Sequence, residues 1–221
     1  MTTSERAYPA KPRPGDRVAV LSPSAGLAQI FPDLHEQSMR RLCDELELVP
    51  VDPRSLGTEP FVRTAAGGWT WHQPNGLIEG PTWGGNLEIL GSLLMADRAI
   101  PTPDAIDGHV LILETSEEMP PATEVFRTLR NIGERGLLGR FPALLMGRAK
   151  SWDRTNKTTL EQRAAYAASQ REAVLKATAA YNPSATIVFD VDFGHTDPQL
   201  IIPYGGLARI DGRRRTISVK Y

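Results

Sequence analysis

His109-Val110-Leu111-Ile112-Leu113-Glu114 decides how this chain is read. An apolar run that stops on a carboxylate is a sheet strand whose last side chain emerges at the sheet's edge. The joint that follows, Thr115-Ser116-Glu117-Glu118, is where α/β proteins place functional groups. Working outward, a helix is expected from Pro121 to Glu134, with Val125, Leu129 and Ile132 on one face. Phe141 to Gly147 reads as the next strand. Thr158 and Glu161 have the spacing to open a long alanine-rich helix, which runs to Tyr181 and is closed by Asn182-Pro183. Four further strands follow, at Ala185–Val191, Leu200–Pro203, Leu207–Ile210 and Thr216–Val219. The last two form a hairpin across Asp211-Gly212. On the N-terminal side, Gly80-Pro81-Thr82-Trp83-Gly84-Gly85-Asn86 leads into a helix marked by Leu87, Leu90, Leu93 and Leu94.

A second, smaller pattern opens the chain. Arg17-Val18-Ala19-Val20-Leu21 is a strand feeding the turn Ser22-Pro23-Ser24-Ala25-Gly26. Asp33 and Glu36 stand at capping-box spacing ahead of Met39, Leu42 and Leu46, and Leu48 to Val51 is a second strand. This β-α-β start then stops, because Asp52 to Asn75 is turn-rich and polar and carries no recognisable strand or helix. The expectation is a truncated N-terminal α/β unit at 1–51, an irregular linker at 52–79 and a mixed α/β domain at 80–221. Two strands and one helix bury too little surface to stand alone, and their unpaired apolar edge favours a dimer.

Composition narrows the function classes. The 221 residues are 41% hydrophobic and 23% charged, with net charge −1. A near-neutral chain with a pI near 6.4 lacks the basic footprint of a nucleic-acid binder. The one basic run, Arg213-Arg214-Arg215, reads as the solvated corner of the hairpin. A single cysteine, Cys43, excludes a disulfide framework and reads as a buried thiol on a helix. The polar, proline-rich start has no apolar segment of a signal peptide, and no apolar run is long enough to span a bilayer. A cytoplasmic location is expected, with no membrane partner.

The chemistry-bearing candidates are few. Glu114 is either a site carboxylate or a solvent-facing acid at a strand end. His195, in Asp192-Phe193-Gly194-His195-Thr196-Asp197-Pro198, follows a glycine that lets the backbone turn and present the imidazole. It is either a base or a loop histidine satisfied by a carbonyl. Base and orienting carboxylate come as a pair on strand ends in hydrolases whose partners lie far apart in sequence. Gly84-Gly85-Asn86 opens a helix, either as an anion-holding array of bare amides or as a turn with Asn86 as N-cap. Trp83 beside it is core or a substrate wall. The four histidines are scattered with no two at ligand spacing, so no metal is expected, and no other cofactor.

These residues converge on a family. Gly15-Asp16-Arg17-Val18-Ala19-Val20-Leu21-Ser22-Pro23-Ser24 resembles the start of the LD-carboxypeptidases, which include the microcin C immunity peptidases. Gly84-Gly85-Asn86-Leu87, Leu113 to Glu118 and Phe193 to Pro198 match the family's second half in order. The resemblance implies a cytoplasmic, homodimeric serine peptidase with a Ser-Glu-His triad. Its fold is a flavodoxin-like N-terminal domain followed by a swivelling β/β/α C-terminal domain. It makes Glu114 the triad acid and His195 the base, with Trp83, Gly84, Gly85 and Asn86 lining the pocket for a small peptide, peptide-nucleotide or peptidoglycan fragment.

One part of the family pattern is missing. The Gly-Tyr-Ser-Asp nucleophile elbow and the upstream Gly-Gly-Asp of the oxyanion hole do not occur in this chain. The sequence passes from Val51 to Asp52-Pro53, which resembles a stretch well beyond the elbow, and Gly67-Gly68-Trp69 does not restore the loop. Ser22, Ser24, Ser116 and Ser151 are the serines weighed as substitutes. The expectation is therefore an impaired peptidase, with a non-catalytic remnant or binding module as the alternative.

Overall fold

The computed structural model describes residues 11–19, 32–51, 68–74, 76–152, 158–196 and 199–220. Contacts divide the chain into two compact units, Met1–Ala65 and Ala66–Tyr221.

In the first unit, strands β1 (Arg17–Ala19) and β2 (Val49–Val51) pair in parallel. Helix α1 (Pro32–Arg40) lies between them in sequence and continues into a π-turn at Arg41–Glu45. This is the expected start of a parallel α/β unit. Asp33 lies inside the first turn of α1 rather than capping it. Cys43 is exposed, not buried as its helical setting suggested. Ser22 and Ser24 lie outside the described residues, as does the stretch from 52 to 67.

The second unit is a seven-stranded mixed sheet, in the order β3-β7-β6-β5-β4-β8-β9. Its strands are β3 (Thr70–His72), β4 (Leu77–Asn86), β5 (Val110–Glu114), β6 (Ala143–Gly147), β7 (Thr186–Val191), β8 (Leu207–Asp211) and β9 (Thr216–Val219). Strands β4 to β7 run parallel and are consecutive in space. They are linked by α2 (Leu87–Ala96), α3 (Ala122–Glu134) and α4 (Leu160–Tyr181). Right-handed crossovers between consecutive neighbours place all three helices on one face. The core agrees: Leu87, Leu94, Val125, Leu129, Val174 and Ala177 pack with Leu111, Leu113, Leu144, Met146, Ile187 and Phe189.

Strand alternation sends Val110, Ile112, Ala143, Leu145 and Val188 to the other face. There the antiparallel β8–β9 hairpin closes over them, with Ala208 and Ile210 buried and Trp71, Ile202 and Ile217 packed alongside. Both faces of the parallel strands are thus covered, which is why β5 and β6 are buried at every position.

Several sequence expectations are corrected. Residues 70–72, assigned to the irregular linker, form strand β3, antiparallel to β7. Residues 77–86, expected as the end of the linker and a glycine-rich lead into the helix, form one long strand, and Asn86 is the N-cap of α2. The strand's first half pairs antiparallel with β8 and its second half parallel with β5. Residues 200–203 are not a strand. The capping box of α4 is Thr159 with Gln162, one residue beyond the expected pair.

Candidate active site

Parallel strands end on the same side, so the C-terminal ends of β4, β5, β6 and β7 meet along one rim. Asn86 and Glu114 are register partners there, closing β4 and β5. Asn86 is occupied in both directions. Its Oδ1 accepts from the Ile89 N–H at 2.9 Å, capping α2, and its Nδ2 donates to Glu114 Oε1 at 3.0 Å. The second oxygen, Glu114 Oε2, lies 2.6 Å from His195 Nδ1. An ionised carboxylate only accepts, so Nδ1 carries a hydrogen.

Room for Glu114 comes from two glycines. A Cβ on Gly147, at the end of β6, would stand 2.9 Å from Glu114 Cβ and 2.8 Å from the Phe193 carbonyl oxygen. Gly194 has φ +95°, and a Cβ there would stand 2.8 Å from both Glu114 Cβ and Oε2. The residue preceding the histidine must therefore be glycine for two reasons: its backbone conformation, and the carboxylate pressed against it.

A bulge in β7 aims the histidine loop. The register passes from Leu145↔Val188 to Gly147↔Val191, leaving β7 one residue longer than its partner. Asp190, at φ +61°, lies in that bulge and is buried. Its carboxylate accepts from Arg171 at 2.6 Å and Thr70 at 3.2 Å, and its carbonyl accepts from Arg148 at 3.0 Å. Arg148 also pairs with Asp192 at 2.8 Å, while the Trp69 indole donates to the other Asp192 oxygen at 2.9 Å. A strained backbone held by this many partners re-aims the chain just before His195.

The turn leaving β5 supplies a carboxylate that sequence reasoning missed. Glu117 Oε2 stands 3.1 Å from His195 Nε2. The Ser116 hydroxyl donates to Glu88 Oε1 at 2.5 Å rather than to His195. Beside it, burial and then the negative charge of Glu88 push the Tyr166 phenol up to about 12. Among the described residues, His195 side-chain partners are Glu114 and Glu117, and no serine hydroxyl is among them.

The remaining candidates separate. Trp83, expected as core or as a substrate wall, packs against Phe141, ring centroids 5.8 Å apart, within the helix-side core. Gly84 permits close strand approach, since a Cβ there would stand 2.0 Å from the Ile112 carbonyl oxygen. Gly85 has open space where its Cβ would be. His72 lies on β3 and His35 on α1. Among the described residues no group of three or more His, Cys, Asp or Glu side chains is placed to hold a metal ion, and no helix is long and apolar enough to cross a membrane.

Residues 79–210 match the model of the LD-carboxypeptidase C-terminal domain. Among solved structures, an MccF-like protein from Streptococcus pneumoniae in complex with AMP aligns with a TM-score of 0.58 at 24% identity, over 73% of this chain and 46% of that one. The microcin C7 self immunity protein MccF, solved in complex with aspartyl sulfamoyl adenosine, aligns with a TM-score of 0.51 at 20% identity, over 66% of this chain and 39% of that one. This chain thus spans less than half the length of either structure, and the likeness is one of fold.

Proposed function

The chain belongs to the LD-carboxypeptidase family through its C-terminal domain, and from that premise we propose that its second unit carries the acid and base of a serine-type amide-hydrolysing centre. Glu114 orients and stabilises the His195 imidazole through Nδ1, and His195 presents Nε2 as the proton acceptor for a hydroxyl nucleophile. The observation that carries this reading is the 2.6 Å contact between Glu114 Oε2 and His195 Nδ1. The ligand class is a small peptide-nucleotide or a peptidoglycan-derived peptide. MccF has been solved with aspartyl sulfamoyl adenosine, and the open face of Gly85 beside Asn86 offers room for such a ligand. A cytoplasmic homodimer belongs to the same proposal.

Hydrolysis by this chain is impaired in this reading, because among the described residues no serine hydroxyl reaches the pair. Losing a triad serine costs on the order of 10⁶ in turnover, about 8 kcal/mol of barrier, which no Glu–His pair restores alone. A fluorophosphonate serine probe followed by intact-mass measurement tests it, and no stoichiometric adduct is expected. An adduct that disappears in His195→Ala would show an active serine peptidase instead.

The 3.1 Å contact between Glu117 and His195 Nε2 favours a second reading, a ligand-binding module without turnover. Calorimetric titration with aspartyl sulfamoyl adenosine separates the two. Saturable binding with the ligand recovered intact supports the module, and cleavage of the ligand rejects it.

A further inference from the structure

The turn bearing Glu117 is strapped from two helices. Glu88, in the first turn of α2, accepts from both the N–H and the hydroxyl of Ser116, at 2.9 and 2.5 Å. The Ser116 hydroxyl in turn accepts from the Glu118 N–H at 3.1 Å. Farther along, the Pro120 carbonyl accepts from Tyr166 at 3.0 Å and from Gln170 at 2.9 Å, both on α4. Between these straps the Met119 N–H closes on the Ser116 carbonyl at 3.3 Å. The backbone is held, and the Glu117 side chain, 59% exposed, projects from it onto His195.

We propose that Glu117 is a latch on the imidazole. Its carboxylate occupies the Nε2 face of His195, so that the base is free to take a proton only when Glu117 rotates away. The proposal rests on the reading of His195 as the base. While Nε2–H is donated to a carboxylate, that nitrogen has no lone pair for a hydroxyl proton, and the carboxylate fills the space a nucleophile or ligand would enter. Release needs side-chain rotation and loss of the Nε2 proton to water, and the strapped backbone does not have to move. An ion pair this exposed is weak, so the latch opens readily. The two carboxylates thus divide the ring: Glu114 orients it from a buried position, and Glu117 controls access to its other nitrogen.

Diethyl pyrocarbonate, which acylates an imidazole nitrogen bearing a lone pair, tests the latch on the full chain. Peptide mass spectrometry reads the rate at His195, with His35 and His72 as internal references. Glu117→Ala should raise the His195 rate about three- to fivefold, the occupancy change expected for an exposed ion pair, with the references unchanged. Glu117→Gln, which keeps the shape without the charge, should fall between parent and Glu117→Ala. A His195 rate in Glu117→Ala equal to that of the parent overturns the latch. Glu114→Gln separates that failure from failure of the underlying reading. If it changes His195 labelling and Glu117→Ala does not, only the latch is wrong; if neither variant changes labelling, the Glu114–His195 pairing falls as well.

Discussion

Two carboxylates three residues apart face opposite nitrogens of one imidazole, and they are built in opposite ways. Glu114 ends a strand buried at every position, its side chain is 11% exposed, and both of its oxygens are engaged. Glu117 projects from a turn, is 59% exposed, and reaches the ring through one oxygen. The first is placed by the sheet: it needs the ends of β4, β5, β6 and the loop after β7 in register. The second is placed by straps from α2 and α4. A perturbation at Glu114 therefore propagates into the core, and one at Glu117 stays at the surface.

Gly194→Ala should break the comparison most severely. The substitution places a methyl group against Glu114 and asks alanine to hold a left-handed backbone. A loss of about 2 to 4 kcal/mol in urea unfolding is expected, with disappearance of the downfield proton resonance of the His195–Glu114 bond. Wild-type stability with that resonance intact would show that the carboxylate's surroundings yield easily. Glu114→Ala comes next. It leaves the Asn86 amide and His195 Nδ1 without their acceptor, and chemical denaturation should report a loss of about 1 to 3 kcal/mol. Glu114→Gln retains a carbonyl acceptor and should lose less.

A smaller effect belongs to the strap beneath Glu117. The Tyr166 phenol is held up to about 12 in the folded chain, against about 10 for an unperturbed tyrosine. Between those pH values the folded state binds more protons than the unfolded state, so stability falls as pH rises through that window. The Tyr166 contribution is fully present below about pH 10. Tyr166→Phe should flatten this part of the stability–pH curve, and an unchanged slope would remove the phenol from the account. Smallest of all, Glu117→Ala should leave unfolding free energy within about 0.5 kcal/mol of the parent. A larger loss would erase the distinction between the two carboxylates.

Much of the second unit was legible because its signals are local and strong. The run from Val110 to Glu114, the apolar face of α3 and the Asp-Gly turn before β9 each carry their own periodicity or turn chemistry. Strand β3 was not legible. Three residues within a polar, turn-rich stretch become a strand because β7 offers an edge to pair with, and Trp71 gains a core to pack against. Gly84-Gly85 reads locally as a turn, yet continues β4 alongside β5, where the Ile112 carbonyl passes too close to Gly84 to admit a side chain. Trp83 was ambiguous until strand alternation sent it to the helix side, onto Phe141. Asp190, Arg148 and Arg171 had no sequence signal, since a bulge exists only relative to the strand beside it.

The order of residues alone determined that a carboxylate closes an apolar strand, that a histidine follows a glycine in a later loop, and that the nucleophile elbow of the resembled family is absent. Both side chains are polar groups at the ends of buried runs, a property that needs no partner to be seen. The tertiary structure alone decided that two groups 81 positions apart meet at 2.6 Å, and that Glu117, in plain view in the sequence, closes the far side of the ring. Such contacts depend on which strands lie side by side and in what register, and packing across the whole sheet sets both.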